Sequence, residues 1–335
     1  MRFAVVGAGA IGGYLGARLA LAGEDVTFIA RGANLAAIRR DAFKLIEADG
    51  AERIAPTAKA KAIDERGDYD VVFLAVKAQQ VPALAKDVAR LLKPDTALVT
   101  LQNGVPWWFF HKLAGPYENR SVRVADPDGV IAASIPADSV IGAVVYPAAE
   151  LVAPGVVRVV EGDRFTLGEP DGSKSDRVRA VSEALTRSGF KAPVSSDIRA
   201  ETWLKLWGNV AFNPISALTH ATLVDICQFP LTRALAATMM AEAQTVAEKL
   251  GVRVRISIDR RIAGAEAVGA HKTSMLQDVE AGRPLELEIL VGSVLELARL
   301  TETPTPAIDA VYACARLLAK TLGDAGGRLV IQPRG

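Results

Sequence analysis

The sequence contains few of the residues from which disulfide frameworks and metal centres are built. Its 335 residues include two cysteines, Cys227 and Cys314, and three scattered histidines, and neither set has the spacing of a metal site. The low cysteine content favours a reducing compartment, so we expect a cytoplasmic protein without a metal cofactor. The sequence also lacks the nucleophile elbow that would indicate a serine hydrolase.

Long apolar runs and an excess of one charge are lacking too. Half of the residues are hydrophobic, but glycines and charged residues interrupt the apolar segment 3–30, which predicts a strand and a helix rather than a signal peptide or membrane span. The net charge is +1 without a basic stripe, which argues against nucleic acid and membranes as partners. The length allows two domains.

What the sequence does contain, at its start, is a glycine motif in a specific context. Residues 2–6 predict a buried strand, residues 13–22 a helix and residues 24–30 a second strand. Between them, the first glycine permits a tight turn, the second lets the backbone approach a pyrophosphate, and the third allows close helix packing. We predict a Rossmann-type domain that binds a dinucleotide through Gly7, Ala8, Gly9, Ala10, Ile11 and Gly12.

The end of the second predicted strand bears on the choice of cofactor. Sites that prefer NAD usually carry Asp or Glu there, which holds the ribose 2′-hydroxyl. Here the strand ends at Ala30 and is followed by Arg31, whose guanidinium suits a 2′-phosphate and can stack on adenine. We therefore predict NADP (NADPH) as the cofactor; the alternative is that Arg31 is a solvated loop charge.

Two further polar residues follow predicted buried strands at 69–76 and 96–101. Lys77 and Asn103 come directly after these strands, and ligands of open α/β sheets bind beyond the carboxyl ends of the strands. Both side chains are therefore candidates for the ligand site. An ordinary turn is the alternative, above all for Asn103-Gly104.

The sequence pattern changes near residue 196. Short strands are predicted over 140–168, a helix over 176–188 and a last strand over 189–194, whereas the later segments are mostly helical. We predict an NADP-binding α/β domain over residues 1–195 and an all-helical substrate and catalytic domain over 196–335, with Ser196 as the cap of its first helix. Breaks between the helices are expected near Pro214, Pro230, Gly251, Gly282 and Pro304.

The first helix of the second domain carries a polar stripe. Lys205, Asn209 and Asn213 recur every four residues, which places them on one face of a helix whose other positions are largely apolar. A buried stripe needs partners, and one ammonium with two amides suits a small ligand that has a carboxylate and a carbonyl. A solvent-facing stripe is the alternative.

A second polar group lies further along the chain. Ser274 and Glu286 flank a turn, and Glu286 lies near the start of another helix. Two interpretations of Glu286 stay open: a capping charge at the helix start, or a carboxylate that holds the lysine or a substrate hydroxyl.

Together these features resemble the ketopantoate reductase (2-dehydropantoate 2-reductase) family. The resemblance covers nearly the whole chain and includes Gln102-Asn103-Gly104, Asn213-Pro214 and the segment 273–278 (TSMLQD). It implies an NADP-dependent oxidoreductase that acts on the CH-OH group and reduces ketopantoate to pantoate, a step of pantothenate and coenzyme A biosynthesis.

The resemblance also implies roles for the candidate residues. Lys205 would be the general acid that protonates the nascent alkoxide, and Glu286 would position groups beside it. Substrate contacts are implied for Asn209, Asn213, Ser274 and Asn103, and cofactor contacts for Asn103, Lys77, Arg31 and the glycine loop.

The chain departs from the family pattern on the substrate side. Leu223 and His271 stand where the family often has asparagine, and Tyr146 stands where histidine is frequent. The link over 107–136 is longer than usual, and we expect its aromatic residues 107–110 to pack in a core or a subunit contact.

These departures leave another branched 2-oxo acid open as the substrate. Two other classes of protein are also weighed: a different NADP-dependent enzyme, such as an opine-forming or β-hydroxyacid dehydrogenase, and a non-catalytic NADP-binding sensor. The retained Lys205 and Glu286 argue against the sensor. A homodimer stays open as well.

Overall fold

The computed structural model describes residues 1–65 and 67–327, and the chain divides into two compact units. The first unit comprises Met1–Val122 and Asp126–Glu201, and the second comprises Arg123–Ala125 and the chain from Thr202. The backbone amides of Arg123 and Val124 donate to the Glu296 carboxylate over 2.7 and 2.8 Å, which ties this short segment to the second unit. No helix of the described residues is long and apolar enough to cross a membrane.

A seven-stranded sheet forms the centre of the first unit. The strands of this unit are β1 (Arg2–Val6), β2 (Asp25–Ile29), β3 (Phe43–Ile46), β4 (Glu52–Ala55), β5 (Lys59–Lys61), β6 (Val71–Leu74), β7 (Ala97–Thr100), β8 (Val140–Val145), β9 (Ala148–Ala153), β10 (Val156–Glu161) and β11 (Phe165–Gly168). The large sheet has the order β11-β8-β7-β6-β1-β2-β5, and all neighbours pair in parallel except β11 and β8. The strand order reverses at β1, as in Rossmann-type folds, which confirms the predicted fold class.

A smaller sheet, β4-β3-β10-β9, packs on the first helix of the unit. The helices are α1 (Ala10–Leu21), α2 (Gly32–Asp41), α3 (Val81–Ala89), α4 (Val130–Ser134) and α5 (Asp176–Arg187). The fit on α1 is tight, because a methyl group at Gly13 would lie 2.5 Å from Cζ of Phe43 and 2.7 Å from Cγ2 of Val157. Helix α1 is therefore held against both sheets through one shared core.

The second unit is helical, as predicted. Its helices are α6 (Ile198–Thr219, whose first four residues belong to the first unit), α7 (Leu223–Gln228), α8 (Pro230–Lys249), α9 (Ile258–Glu266), α10 (Ser274–Glu280), a π-helical turn (Glu288–Gly292), α11 (Ser293–Leu300) and α12 (Pro306–Asp324). Two fully buried tryptophans, Trp203 and Trp207, anchor α6, and Nε1 of Trp207 donates to the Met240 carbonyl of α8 over 2.5 Å.

Three local predictions are wrong. Residues 189–194 form no strand but only isolated bridges, which join Lys191 to Arg164 and Val194 to Leu167. Helix α6 continues through Pro214, although proline lacks the amide that an interior helix position needs. Phe212, before the proline, and Ile215, after it, are 2% and 3% exposed. Packing of side chains on both sides of Pro214 therefore stabilises the helix despite the missing backbone hydrogen bond.

The third wrong prediction concerns the cap of α6. The helix begins at Ile198, and Asp197 rather than Ser196 caps it, because Oδ1 of Asp197 accepts the Ala200 amide over 2.9 Å. Both residue types are good caps, and only the exact start of the helix distinguishes them.

The aromatic residues that begin the long link pack in the core. Trp108, Phe109 and Phe110 are at most 3% exposed, and Nε1 of Trp108 donates to Oγ1 of Thr100 over 2.9 Å. The core interpretation of these three rings is therefore confirmed.

A buried arginine fixes this link to the start of α6. Nε of Arg199 donates to the Phe109 carbonyl over 2.6 Å, and its two terminal nitrogens donate to the carbonyls of Pro170 and His111. Burial lowers the pKa of Arg199 from its ordinary value, but the guanidinium donates to three carbonyls, and these charge-assisted bonds offset part of the cost of burying it.

Replacing Arg199 should therefore destabilise the first unit strongly. We expect Arg199→Met to lower the free energy of unfolding by about 3 kcal/mol, because buried carbonyls lose charged donors. The matched control is Arg187→Met, which removes an exposed guanidinium paired with Glu24 and should cost less than about 1 kcal/mol. Chemical denaturation measures both, and equal losses would contradict the assignment.

Candidate active site

The glycine loop connects β1 to α1 and is held by its own geometry. Gly7 has φ +104°, which favours glycine, and its amide donates to the Ile29 carbonyl of β2 over 3.0 Å. A methyl group at Gly12 would overlap the Gly7 carbonyl oxygen and lie 2.8 Å from Cβ of Ala75. At Gly9 nothing lies within 4 Å of such a methyl group, so the loop leaves space there for a ligand.

A cavity of about 680 Å³ lies beside this loop, at the carboxyl ends of β1, β2 and β6. Gly7, Ala8, Gly9 and Arg31 are among its lining residues, whereas Ala10, Ile11 and Gly12 form the first turn of α1 behind it. The structure thus gathers the predicted loop residues and the exposed Arg31 around one opening.

The cavity fits a phosphorylated dinucleotide. Its volume is in the range of small-molecule sites, and the N-terminus of α1 favours phosphate charge. Among the described residues that line it there is no Asp or Glu that would hold a free ribose 2′-hydroxyl, and Arg31 offers a cation instead. These features match NADPH better than NADH.

Lys77 and Asn103 lie outside the lining of this cavity. Lys77 follows β6 and precedes a short 3-10 helix (Ala78–Gln80), where its amide donates to Oε1 of Gln80 over 3.2 Å. Asn103 follows β7, and both side chains are half-buried. Each is therefore beyond the carboxyl end of a parallel strand, as predicted.

Two amides shape this edge of the sheet: Asn34, for which no signal was found in the sequence, and Gln102, which was noted only as part of the family motif. Nδ2 of Asn34 donates to the Ala8 carbonyl over 2.6 Å, while its Oδ1 accepts the Gly155 amide over 2.6 Å. Nε2 of Gln102 donates to the carbonyls of Leu74 and Val76, over 2.7 and 3.0 Å. Asn34 thus supports the glycine loop, and Gln102 joins the ends of β6 and β7.

The polar stripe lies on a buried helix rather than on a solvent-facing one. Lys205 and Asn209 are half-buried, and Asn213 is 5% exposed. Nδ2 of Asn213 is 3.5 Å from Oγ of Ser274, the first residue of α10. The structure therefore brings the last stripe residue together with the predicted serine within the second unit.

Two opposing effects determine the pKa of Lys205. Burial lowers the pKa of Lys205 to about 8, and the negative charge of Glu286 acts in the opposite direction. Although the side chain keeps some exposed surface, its dense surroundings disfavour the ammonium form. Glu286 is thus close enough to act on the lysine charge, which favours the carboxylate interpretation over a mere capping role.

Glu286 precedes an irregular helix start. The sequence predicted an α-helix that starts near Glu286. In the structure a π-helical turn (Glu288–Gly292) comes first, and the regular helix α11 begins only at Ser293. Inserted π turns often occur at functional sites, because they change the direction of the side chains around them.

Two of the departures from the family pattern are adjacent in space. The amide of Leu223, which begins α7, donates to the carbonyl of His271 over 3.0 Å. Tyr146 belongs to the first unit, is 40% exposed and lies under the guanidinium of Arg164, 5.7 Å from the ring centroid.

The fold and the glycine loop define a dinucleotide-binding protein of the Rossmann type with a helical second unit. Residues 3–172 match the family profile described as Ketopantoate reductase PanE/ApbA, and residues 197–319 match that of Ketopantoate reductase PanE/ApbA C terminal. The chain belongs to the ketopantoate reductase family.

Individual relatives agree with this assignment. The chain is 53% identical over 324 residues to a 2-dehydropantoate 2-reductase of Mesorhizobium japonicum, covering 96% of this chain and 99% of the relative. A crystal structure of a candidate ketopantoate reductase from Ralstonia solanacearum MolK2 has a TM-score of 0.91 at 42% identity, covering 96% and 98%. The 2-dehydropantoate 2-reductase structure from Methylococcus capsulatus has a TM-score of 0.81 at 26% identity, with the same coverage.

The open space at Gly9 leads to a test with an internal control. Gly9→Ala is compatible with the backbone at φ −82°, but its methyl group would enter the space beside the cavity. We expect the dissociation constant for NADPH to rise about tenfold or more while stability is unchanged, because the phosphates need close backbone approach.

Gly12→Ala is the contrasting variant. Its methyl group overlaps the loop itself, so we expect a loss of about 1–3 kcal/mol in the free energy of unfolding. Fluorescence titration with NADPH and chemical denaturation separate the two effects. Unchanged NADPH affinity in Gly9→Ala would contradict this position for the cofactor.

Proposed function

We propose that this chain reduces 2-dehydropantoate (ketopantoate) to pantoate with NADPH, and that Lys205 is the general acid. When bound, NADPH supplies the hydride that joins the ketone carbon, while a proton joins the ketone oxygen. The observation that carries the proposal is the Lys205 ammonium with its depressed pKa, beside Glu286 and in line with two asparagines.

Lys205 suits both the charge and the proton that the reaction requires. Negative charge develops on the ketone oxygen as the hydride is transferred, and a nearby ammonium stabilises it. A lysine with an ordinary pKa near 10.5 would hold its proton too tightly, whereas a pKa of about 8 lies close to working pH.

Glu286 keeps this acid in its active form. Its negative charge raises the Lys205 pKa against the effect of burial, so that the ammonium is populated at neutral pH. We assign Glu286 to the catalytic residues on this ground.

The remaining polar groups of the second unit bind the substrate. Asn209 and Asn213 provide amides on the same face as Lys205, and the Ser274 hydroxyl lies 3.5 Å from the Asn213 amide. This separation is long for a direct hydrogen bond, and both groups therefore have capacity for substrate oxygens. Asn103 contacts both substrate and cofactor in this proposal.

The first unit binds NADPH. In this proposal residues 7–12 receive the pyrophosphate, and Arg31, which lines the cavity, pairs with the 2′-phosphate. Lys77, at the end of β6 but outside the cavity lining, is assigned to the cofactor side by the family resemblance. The domain assignment is therefore an NADP-binding domain over 1–195 and a helical substrate and catalytic domain over 196–335. The cavity beside Gly9 and the cation at Arg31 support the first part, and the Lys205 stripe supports the second.

A second candidate function is the reduction of another branched 2-oxo acid. It is favoured by the adjacent positions of Leu223 and His271, which replace two amides of the family pattern with a branched apolar side chain and an imidazole. Such changes in the substrate wall alter specificity without touching the hydride and proton transfer.

The test is NADPH oxidation by the purified protein with ketopantoate, run beside NADH and a panel of other 2-oxo acids. Fast NADPH-selective turnover of ketopantoate supports the proposal, and turnover of a different 2-oxo acid alone favours the second candidate. Tight NADPH binding without turnover of any acid would contradict the proposal and favour a non-catalytic NADP-binding sensor.

The Lys205→Ala variant tests the catalytic assignment in the same assay. We expect kcat to fall by about 10²–10⁴-fold while the affinity for NADPH is retained, because only the proton donor is removed. Lys320→Ala, which removes an exposed lysine of the same unit, is the control and should leave kcat unchanged. Normal turnover by Lys205→Ala would overturn the role of this lysine.

The pH dependence tests the pairing of Lys205 with Glu286. The protonated lysine is the active form in reduction, so kcat/KM should be high below the Lys205 pKa and fall as the pH rises through about 8. Glu286→Gln removes the charge that raises this pKa, so the fall should move to lower pH.

Glu280→Gln is the matched control for this profile. It removes an exposed carboxylate paired with Lys272 and should leave the midpoint of the fall in place. A midpoint in Glu286→Gln that is unchanged or moved upward would show that Glu286 does not sustain the Lys205 charge.

A further inference from the structure

A buried glycine on α6 is in contact with an arginine of another helix. Gly208 lies three residues after Lys205, in the interior of the helix, where glycine is about 1 kcal/mol less favourable than alanine. A methyl group at Gly208 would overlap Nη2 of Arg261 and lie 2.9 Å from its Cζ and 3.3 Å from its Nε. The guanidinium of Arg261 therefore lies directly on the bare backbone of α6.

This contact places the guanidinium at the edge of the polar stripe. Side chains of an α-helix lean toward its N-terminus, so the space at Gly208 lies over the turn that contains Leu204 and Lys205. Arg261 projects into it from α9, whose first turn is capped because Oγ of Ser257 accepts the Arg260 amide over 3.2 Å.

The guanidinium of Arg261 also acts on a residue of a third helix, α7. Burial and the negative charge of Glu266 raise the pKa of the Cys227 thiol on α7, whereas the positive charges of Arg233 and Arg261 oppose this rise, so the Arg261 guanidinium acts on α7 as well as on α6.

The proposed reaction places the carboxylate of the substrate beside the charges of Lys205 and Glu286. Before proton transfer, the charges of Lys205 and Glu286 cancel, and the substrate carboxylate adds one negative charge. After Lys205 has given up its proton, Glu286 and the product carboxylate are both negative, while the nicotinamide has become positive by losing its hydride. The sum therefore stays at one negative charge throughout the reaction, which a cation at the edge of the stripe would offset. A guanidinium does not lose its proton near neutral pH, and its planar fork binds carboxylates through two hydrogen bonds.

We propose that Arg261, held against Gly208, binds the carboxylate of the 2-oxo acid substrate. This inference rests on the proposed function and deepens it, because it selects anionic 2-oxo acids over neutral ketones and esters. Arg261 is thus a substrate-binding residue that keeps its charge throughout the reaction cycle, whereas Lys205 changes its charge.

The first part of the test replaces the guanidinium. The purified full-length protein is assayed with ketopantoate and with its neutral lactone, which has no carboxylate. In Arg261→Met we expect the KM for the acid to rise about 10- to 100-fold, with little change in kcat, in the KM for NADPH or in the KM for the lactone. Arg261→Lys should recover part of this loss, because it restores the charge but not the fork.

The matched control is the neighbouring arginine of the same helix. Arg260 is exposed, so Arg260→Met changes the net charge equally and should leave the KM for the acid within twofold of the unmodified protein. An equal rise of KM in both variants would indicate a general charge effect and overturn the proposal.

Gly208→Ala displaces Arg261 without removing it. Alanine is more favourable in a helix, and only the tip of a flexible side chain has to move, so we expect an unchanged thermal midpoint. The KM for the acid should nevertheless rise about tenfold, with the lactone unaffected.

The outcomes separate this inference from the proposed function. If the unmodified protein reduces no 2-oxo acid, the proposed function fails and this inference fails with it. If the unmodified protein reduces the acid but Arg261→Met keeps its KM and its preference over the lactone, only the role of Arg261 is overturned.

Discussion

The site depends on the competition between burial and a single carboxylate at Lys205. Burial alone would favour the neutral amine, which could neither stabilise an alkoxide nor supply a proton. Glu286 opposes this effect, and the resulting pKa of about 8 lies where a general acid is effective. Much of the second unit supports this balance: α6 is anchored by buried tryptophans on both sides of the lysine, and the π-helical turn follows directly after Glu286. A looser packing around α6 would return the lysine toward an ordinary pKa.

The fold was largely predictable, because its strongest signals are local. The parallel strands are buried on both faces and therefore form continuous apolar runs, and the glycine motif marks the turn that joins β1 to α1. The failures occur where tertiary packing overrides a local rule. Pro214 is a helix breaker in isolation, yet it lies inside a helix whose neighbouring side chains are fully enclosed. Likewise, residues 189–194 have the composition of a strand but form only two bridges, because pairing is decided by partners that are distant in the sequence.

The candidate site divides in the same way. A spacing of four identified Lys205, Asn209 and Asn213, since helical periodicity is written into the sequence. Contacts between residues that are far apart in the sequence have no comparable sequence pattern. Asn34 supports the glycine loop by donating to the Ala8 carbonyl, and it accepts from the Gly155 amide, more than a hundred residues away. Nothing near Asn34 in the sequence indicates either partner. The position of Arg261 against Gly208 is similar, although a glycine within a helix interior was a signal that close packing occurs there.

Charge and shape then contribute differently to the choice of substrate. Every 2-oxo acid shares the carboxylate and the ketone, so cations at Arg261 and Lys205 can select the class but cannot distinguish its members. Discrimination between members must come from groups that meet the rest of the substrate, where a methylene in an apolar pocket is worth only about 1–3 kcal/mol. Leu223 and His271 are joined by a backbone hydrogen bond at the start of α7, and they differ from the family pattern as a pair. Because this bond holds the two backbone segments together, we expect the contributions of the two side chains to substrate preference to be coupled rather than independent.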